Sequence, residues 1–404
     1  APRPGASNPA TAYAIPWSRR ELHAMTSRHS LRRFRLSFQA RSQARWFGIL
    51  ALGSLGTCFL WQPDLTKDPG RRELREEFAG PGTERLSLPL SCGGRLSVRG
   101  HKASEQHVPA GYPSGSFQEW RSLLFEPAEE EDPGPPFIQS VSKVTCCSDD
   151  RFLPDADPVV LALNYPKTLS TCVAAGLTAL GCENPKILVI GLGSGSVPVW
   201  LANIFPDSQV DVVELEASVI QAACEVLGFP VSLPGAGARN KSPLRRNMSH
   251  QLRAIQGDGA ELAEQWAADP EGPRYDAILI DAYDALNRVP APLWEESGPL
   301  CKALPKLLKP QAVLAANVPP GFPVGKMLKC FQKRLAGKSR APPALALEVP
   351  ETANTVGLVL RGADPEDDQL SCLCMEAQAL VEGGKCLFDA VGRLTNCKVQ
   401  IFRC

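Results

Sequence analysis

The chain has 404 residues, enough to bury a full core and to carry one catalytic domain with appendages. Its 43 basic residues are balanced by 43 acidic ones, so no global field draws it to nucleic acid. Fourteen cysteines occur without a single C-x-x-C, and the five histidines (His23, His29, His101, His107 and His250) fall outside the predicted core. A zinc ribbon, a histidine-based metal cluster and a histidine triad are thereby excluded.

Residues 1–63 form the first segment. They hold nine arginines, no lysine and one acid, Glu21, which is the composition of an organelle-targeting leader. "WFGILALGSLGTCFLW" (Trp46–Trp61) follows the arginines, with aromatic residues at both ends. It is short for a spanning helix but has the flanks of a membrane-interface segment. The expectation is an organellar or membrane-anchored protein, with cytoplasmic residence as the alternative. Residues 64–157 are rich in Pro, Gly, Ser and charge, and "EPAEEEDPGPP" is the clearest spacer. They read as a mostly irregular linker with a small β element near Phe137–Val144.

From residue 158 to 361 apolar runs alternate with helix-length segments. "PVVLALNYPKTLSTCVAAGLTAL" leads into a helix. Strands are predicted at Lys186–Ile190, Val210–Leu215, Leu252–Gln256, Ala277–Asp281, Ala312–Asn317, Ala344–Val349 and Thr355–Arg361. "ILVI", "AILI" and "AVLA" are apolar throughout, as parallel strands covered on both faces require. The brief "PETAN" between the last two strands admits no helical crossover, so these form an antiparallel hairpin. The predicted fold is a doubly wound, seven-stranded Rossmann-like α/β sheet ending in that hairpin. Residues 362–404 read as a cysteine-rich tail containing an amphipathic helix that packs on the sheet.

The chemistry concentrates at three strand ends. "VIGLGSGS" places Gly191, Gly193 and Gly195 where a strand passes into a helix, and glycine there permits positive φ and clears the Cβ from a ligand's path. Glu214, ending the next strand in "VDVVELE", suits the two hydroxyls of a ribose. Asp258 follows the third strand in "AIQGDGAEL" and suits an adenine amino group, with Gly259 leaving room for the ring. The loop reads G-x-G-x-G with Ser196 at the sixth position, rather than the dinucleotide G-x-G-x-x-G/A. That pattern favours S-adenosylmethionine, whose amino-acid tail faces the loop in place of a diphosphate.

On these residues the segment from about Asn164 to Arg361 resembles a class I S-adenosylmethionine-dependent methyltransferase of the spermidine synthase-like branch. "ILVIGLGSGSVPVWLANIFPDSQVDVVELEASVIQAACEVLGF" is similar to the eukaryotic elongation factor 1-alpha lysine and N-terminal methyltransferases. "YDAILIDAYDALNRVPAPLW" looks more like spermidine synthases. The resemblance implies a protein amine (lysine or N-terminus) as acceptor, with Asp281 helping to take its proton and Asp284 holding its charge. Aminopropyl transfer from decarboxylated S-adenosylmethionine to a polyamine is the rival reading. Spermidine synthases carry an acid in the glycine loop where this chain has Ser194. Their "E-x-D-E-F-x-Y" segment is replaced here by "LALNYPKTL", and a clear N-terminal β domain is not evident. A non-catalytic scaffold is the third reading. No metal is predicted.

Overall fold

The computed structural model describes residues 81–91, 93–126, 137–149, 152–231, 242–284, 288–336, 340–364 and 366–402. The leader of residues 1–63, with its Trp46–Trp61 segment, and the spacer after Glu126 lie outside the described residues. Among the described residues no helix is long and apolar enough to cross a membrane.

Much of the expected linker is instead an antiparallel sheet. β1 (Thr83–Pro89), β2 (Arg95–Lys102), β3 (Phe117–Glu126), β4 (Phe137–Cys146) and the two-residue β5 (Asp155–Ala156) pair in that order. The expected β element is β4, and the short apolar run "SLLF" falls in β3; the polarity of the rest hides it. β3 buries Gln118, Glu119, Arg121 and Ser122 together with Trp120 and Leu123. These charges survive burial because they are matched. Arg121 donates to Glu119 Oε2 at 3.1 Å and to Cys146 Sγ at 3.0 Å, and Arg85 supplies a second cation to Glu119. His101 is likewise buried in β2, contrary to its expected place outside the core. Leu96, Val98 and Leu123 enter the same apolar core as the main sheet, so this sheet is a packed wall of the fold.

The remaining elements alternate as expected: α1 (Asn164–Ala179), β6 (Lys186–Ile190), α2 (Ser196–Ile204), β7 (Gln209–Glu214) and α3 (Ala217–Glu225). Next come α4 (Pro243–Met248), β8 (Leu252–Gln256), α5 (Gly259–Ala268) and β9 (Tyr275–Ile280). α6 (Pro299–Leu307), β10 (Leu308–Val318), α7 (Val324–Ala336), β11 (Ala344–Glu348) and β12 (Thr355–Arg361) complete the predicted series. The spatial order is β11-β12-β10-β9-β6-β7-β8, parallel from β10 to β8, with β11 and β12 as the antiparallel hairpin.

The apolar runs have the predicted cause. Ile187 and Val189 of β6 feed one core, while Leu188 and Ile190 feed the other; Ala277/Leu279 and Ile278/Ile280 of β9 divide in the same way. α1, α2 and α3 cover the first face, and α5, α6 and α7 cover the second.

The sheet has eight strands rather than seven. The tail forms α8 (Gln369–Glu382), α9 (Ala390–Thr395) and β13 (Lys398–Phe402), and β13 pairs antiparallel with β11. Leu373, Ala377, Leu380, Phe388 and Leu394 join the core on the α1 side, so the tail belongs to the domain. Cys374 and Cys397 of the tail are not joined in disulfides. α4 sits in a Gly/Pro-rich, basic insertion between α3 and β8, yet its Arg245 is 1 % exposed and donates to the Cys224, Val231 and Pro154 carbonyls. Arg245 thereby fastens the insertion to the N-terminal sheet.

Candidate active site

The chain runs from β6 outward through β7 to β8, then returns to β9 on the other side of β6. That reversal falls between β6 and β9, and the carboxyl edge beside such a switch point is the usual ligand edge of open sheets. Three main-chain bonds extend the ladder one residue past the strands and align the loops beyond them. The Asp281 N–H donates to Ile190 O at 2.8 Å, Gly191 N–H to Val213 O at 2.8 Å, and Gly257 N–H to Glu214 O at 3.0 Å. Asp281, the glycine loop, Glu214 and Asp258 therefore follow one another along a single rim.

The loop glycines take the expected positive φ, but the space that their missing Cβ atoms leave is filled by protein rather than kept for a ligand. Gly191 has φ +98°, and a Cβ there would collide with the Asp281 carbonyl. Gly195 caps α2 at φ +78°, and its Cβ would lie 2.6 Å from the Phe229 ring. At Gly259 a Cβ would lie 2.6 Å from Ile190 Cγ2, so the space that it leaves is filled by Ile190 rather than held for a ring. Each absent Cβ lets the protein's own elements close on one another. The loop at Gly193 faces Ser140 of β4, whose buried hydroxyl has no hydrogen-bond partner among the described residues. The N-terminal sheet thus supplies a wall over the loop.

Glu214 is partly exposed and tied in place at both oxygens. Oε2 accepts the Leu192 N–H at 2.9 Å and Oε1 the Glu216 N–H at 3.0 Å. Burial pushes its carboxyl above the ordinary range, against the pull of these backbone donors. A carboxylate oxygen has two acceptor directions, so capacity for hydroxyl donors remains. The wall reaches here too: Ser91, in the β1–β2 turn, donates from both its N–H and its hydroxyl to Glu216. Asp258 is exposed and caps α5, Oδ1 accepting from the Ala260 and Glu261 N–H groups at 2.7 and 3.2 Å. Its expected contact with a base is left to Oδ2.

Asp281 accepts an N–H from Asn317 at Oδ1, at 2.9 Å. Although the residue keeps partial exposure, protein atoms surround its carboxyl densely, and burial pushes the pKa up to about 6 against the Asn317 bond. Tyr165 of α1 and Tyr283 sit close enough for its charge to raise them both further above the phenol range. Asp284 is arranged differently. Its Oδ1 accepts the Arg288 N–H at 2.9 Å, and Oδ2 takes the Arg288 guanidinium at 3.0 and 3.1 Å. The charge expected to hold an ammonium already has a counter-ion, and the pair closes a loop. Among the described residues no cluster of side chains suits a metal ion.

Asn317 was missed as a functional residue. It lies in "NVPPGF", which reads as a loop, but its position at the carboxyl end of the fifth strand was the available signal. Tyr165 and Ser140 lay in segments whose contact with this edge is set by packing alone.

No family model matches the chain. It is 33% identical over 137 residues to a polyamine aminopropyltransferase of Vibrio vulnificus (strain CMCP6), covering 33% of this chain and 38% of that protein. Over 157 residues it is 28% identical to the eEF1A lysine and N-terminal methyltransferase of Homo sapiens, covering 36% of this chain and 20% of the relative. The chain is similar to both kinds of transferase. It spans well under two thirds of the length of either relative. Among solved structures, human methyltransferase-like protein 13 in complex with SAH aligns at 22% identity and TM-score 0.39, over 54% of this chain and 88% of that one. A probable spermidine synthase from Corynebacterium glutamicum ATCC 13032 aligns at 13% identity and TM-score 0.42, over 74% and 87%.

Proposed function

We propose that this chain is an S-adenosylmethionine-dependent methyltransferase acting on a protein amine, a lysine or an N-terminus. The observation that carries the reading is the aligned rim: Glu214 and Asp258 stand on one side of the glycine loop and Asp281 on the other, joined by consecutive main-chain bonds. The donor set fits a nucleoside, since Glu214 and Asp258 offer acceptors for ribose and base. Gly191, Gly193, Gly195, Glu214 and Asp258 would hold the cofactor, and Gly259 keeps the turn beneath it closed. When bound, S-adenosylmethionine supplies a methyl group on sulfonium.

The residues of the chain do the rest. Glu214 accepts from sugar hydroxyls without losing its two backbone donors. Asp281, with a pKa near 6, is ionised at neutral pH yet basic enough to orient an ammonium and take the proton it must lose before its nitrogen attacks. With the N-terminal sheet over the glycine loop, alignment and partial desolvation of the reacting groups would carry the rate.

Aminopropyl transfer from decarboxylated S-adenosylmethionine to a polyamine is the second reading. It is favoured by the antiparallel sheet over the glycine loop, and by the similarity to a polyamine aminopropyltransferase. Ser194 weighs against it. The residue is 1 % exposed and its hydroxyl meets Ser196 Oγ at 3.3 Å, so no loop acid is present to hold a polyamine.

The test is incubation of the full chain and cell lysate with methyl-labelled S-adenosylmethionine, and separately with propyl-labelled decarboxylated cofactor, followed by mass spectrometry. Label on protein amines from the first is expected, falling about a hundredfold or more in Glu214→Ala as cofactor affinity is lost. Label on polyamines from the second alone would establish the rival. Failure of the wild-type chain to bind either cofactor would leave a scaffold.

A further inference from the structure

Behind Asp281 two asparagines form a chain of donors that runs one way. Asn317, fully buried in β10, gives its amide N–H to Asp281, and its own Oδ1 accepts the Asn354 amide at 3.0 Å. An amide NH2 group only donates, so the first bond fixes which end of Asn317 meets Asn354, and the second keeps it from turning over. Asp281 Oδ1 is thereby held as an acceptor from behind.

Asn354 closes the loop between β11 and β12, and that loop is under constraint. Glu351 takes φ +64°, the one non-glycine residue with positive φ among the described residues. Such a conformation persists only where the surroundings impose it. The bonds that impose it are visible. Asn164, the first residue of α1, donates to Pro350 O and Glu351 Oε2, both at 3.3 Å. Asn164 Oδ1 accepts from Arg393 of α9 at 2.9 Å. Val349 N–H donates to Asn354 O at 2.9 Å and shuts the loop.

We propose that Asn317 and Asn354 are positioning residues for Asp281, and that the braced β11–β12 loop exists to present Asn354. The proposal rests on Asp281 handling the acceptor amine. The titratable groups facing Asp281 are Tyr165 from α1 and Tyr283 from its own loop, both held neutral by burial. Among the described residues no lysine or arginine contributes to its titration, so the Asn317 bond is what offsets burial of the carboxylate. Removing a donor must therefore raise the Asp281 pKa.

The experiment uses the full chain carrying Asn317→Ala, Asn354→Ala or Asn354→Gln, with carboxyl-labelled aspartate and Asp281→Asn to assign the resonance. Titration followed by carbon NMR reads the group directly, without cofactor. The wild-type midpoint is expected near about 6. It should rise by about one pH unit in Asn317→Ala and by about half a unit in Asn354→Ala, with Asn354→Gln close to wild type because the donor is retained. The acidic limb of kcat should move by the same amounts, with KM for the cofactor unchanged. Asn354 sits on a half-buried loop, so Asn354→Ala carries the test if Asn317→Ala fails to fold. A folded Asn354→Ala with an unmoved Asp281 midpoint overturns the proposal. If the midpoints move as expected but even the wild-type chain transfers no methyl group, the positioning chain stands and the proposed reaction falls.

Discussion

The rim of the large sheet and the antiparallel sheet above it are built by opposite means. The rim uses apolar strands covered on both faces, and it leaves its polar groups where the strands end. The upper sheet threads its charges through the strands themselves, pairing Arg121 with Glu119 and lending Arg121 to Cys146. The first arrangement is local, because strand, loop and acid follow in sequence. The second depends on partners that lie far apart along the chain: Arg85 and Glu119 are joined across 34 positions. A motif can be read from the first kind of region, whereas the second exists only once it is folded.

The largest effect should come from the tightest point of the rim. Gly191→Ala forces a side chain into positive φ and against the Asp281 carbonyl. It is expected to cost more than about 4 kcal/mol in urea unfolding, or to separate β6 from β9 and abolish cofactor binding. A variant with wild-type stability and binding would show that the ends of β6 and β9 are not in close contact there. Next comes the upper sheet. Arg121→Leu strips Glu119 of one cation and leaves the Val226 carbonyl without its Arg121 donor. The expected loss is about 3 kcal/mol in the same measurement. A loss below about 1 kcal/mol would demote this sheet from wall to appendage.

The smallest effect runs the other way and depends on pH. The native state holds the Asp281 proton up to about 6, against an ordinary value of 3.8. The stabilising contribution of this carboxyl is thus complete below about pH 4 and is lost as pH rises through about 6. Asp281→Asn should therefore stabilise the protein by about 2 kcal/mol at pH 8, after allowance for partial exposure, and by nearly nothing at pH 4. Equal stabilisation at both values would mean that the carboxyl titrates normally.

Legibility followed the same division. β6, β8 and β12 begin and end where periodicity puts them, and Glu214 and Asp258 stand at adjacent strand ends as the motif demands. The reason given for the glycines was incomplete, since whether an absent Cβ makes room for a ligand or for Phe229 is a matter of packing. Asp284 looked like a second acid for the amine, and only the fold pairs it with Arg288. The tail was expected to pack on the sheet through a helix, yet its β13 also extends the sheet, because an edge strand finds its partner by hydrogen bonding rather than by any local signal.

The amino-acid sequence alone determined the two-core sheet and the order of groups along its rim, because side-chain period and strand-end position are local properties of the chain. Tertiary structure decided which buried charges were matched, which tail joined the sheet, and how two distant asparagines came to stand behind one carboxylate. Those outcomes depend on distances between residues remote in sequence, and such distances exist only when the whole domain has closed.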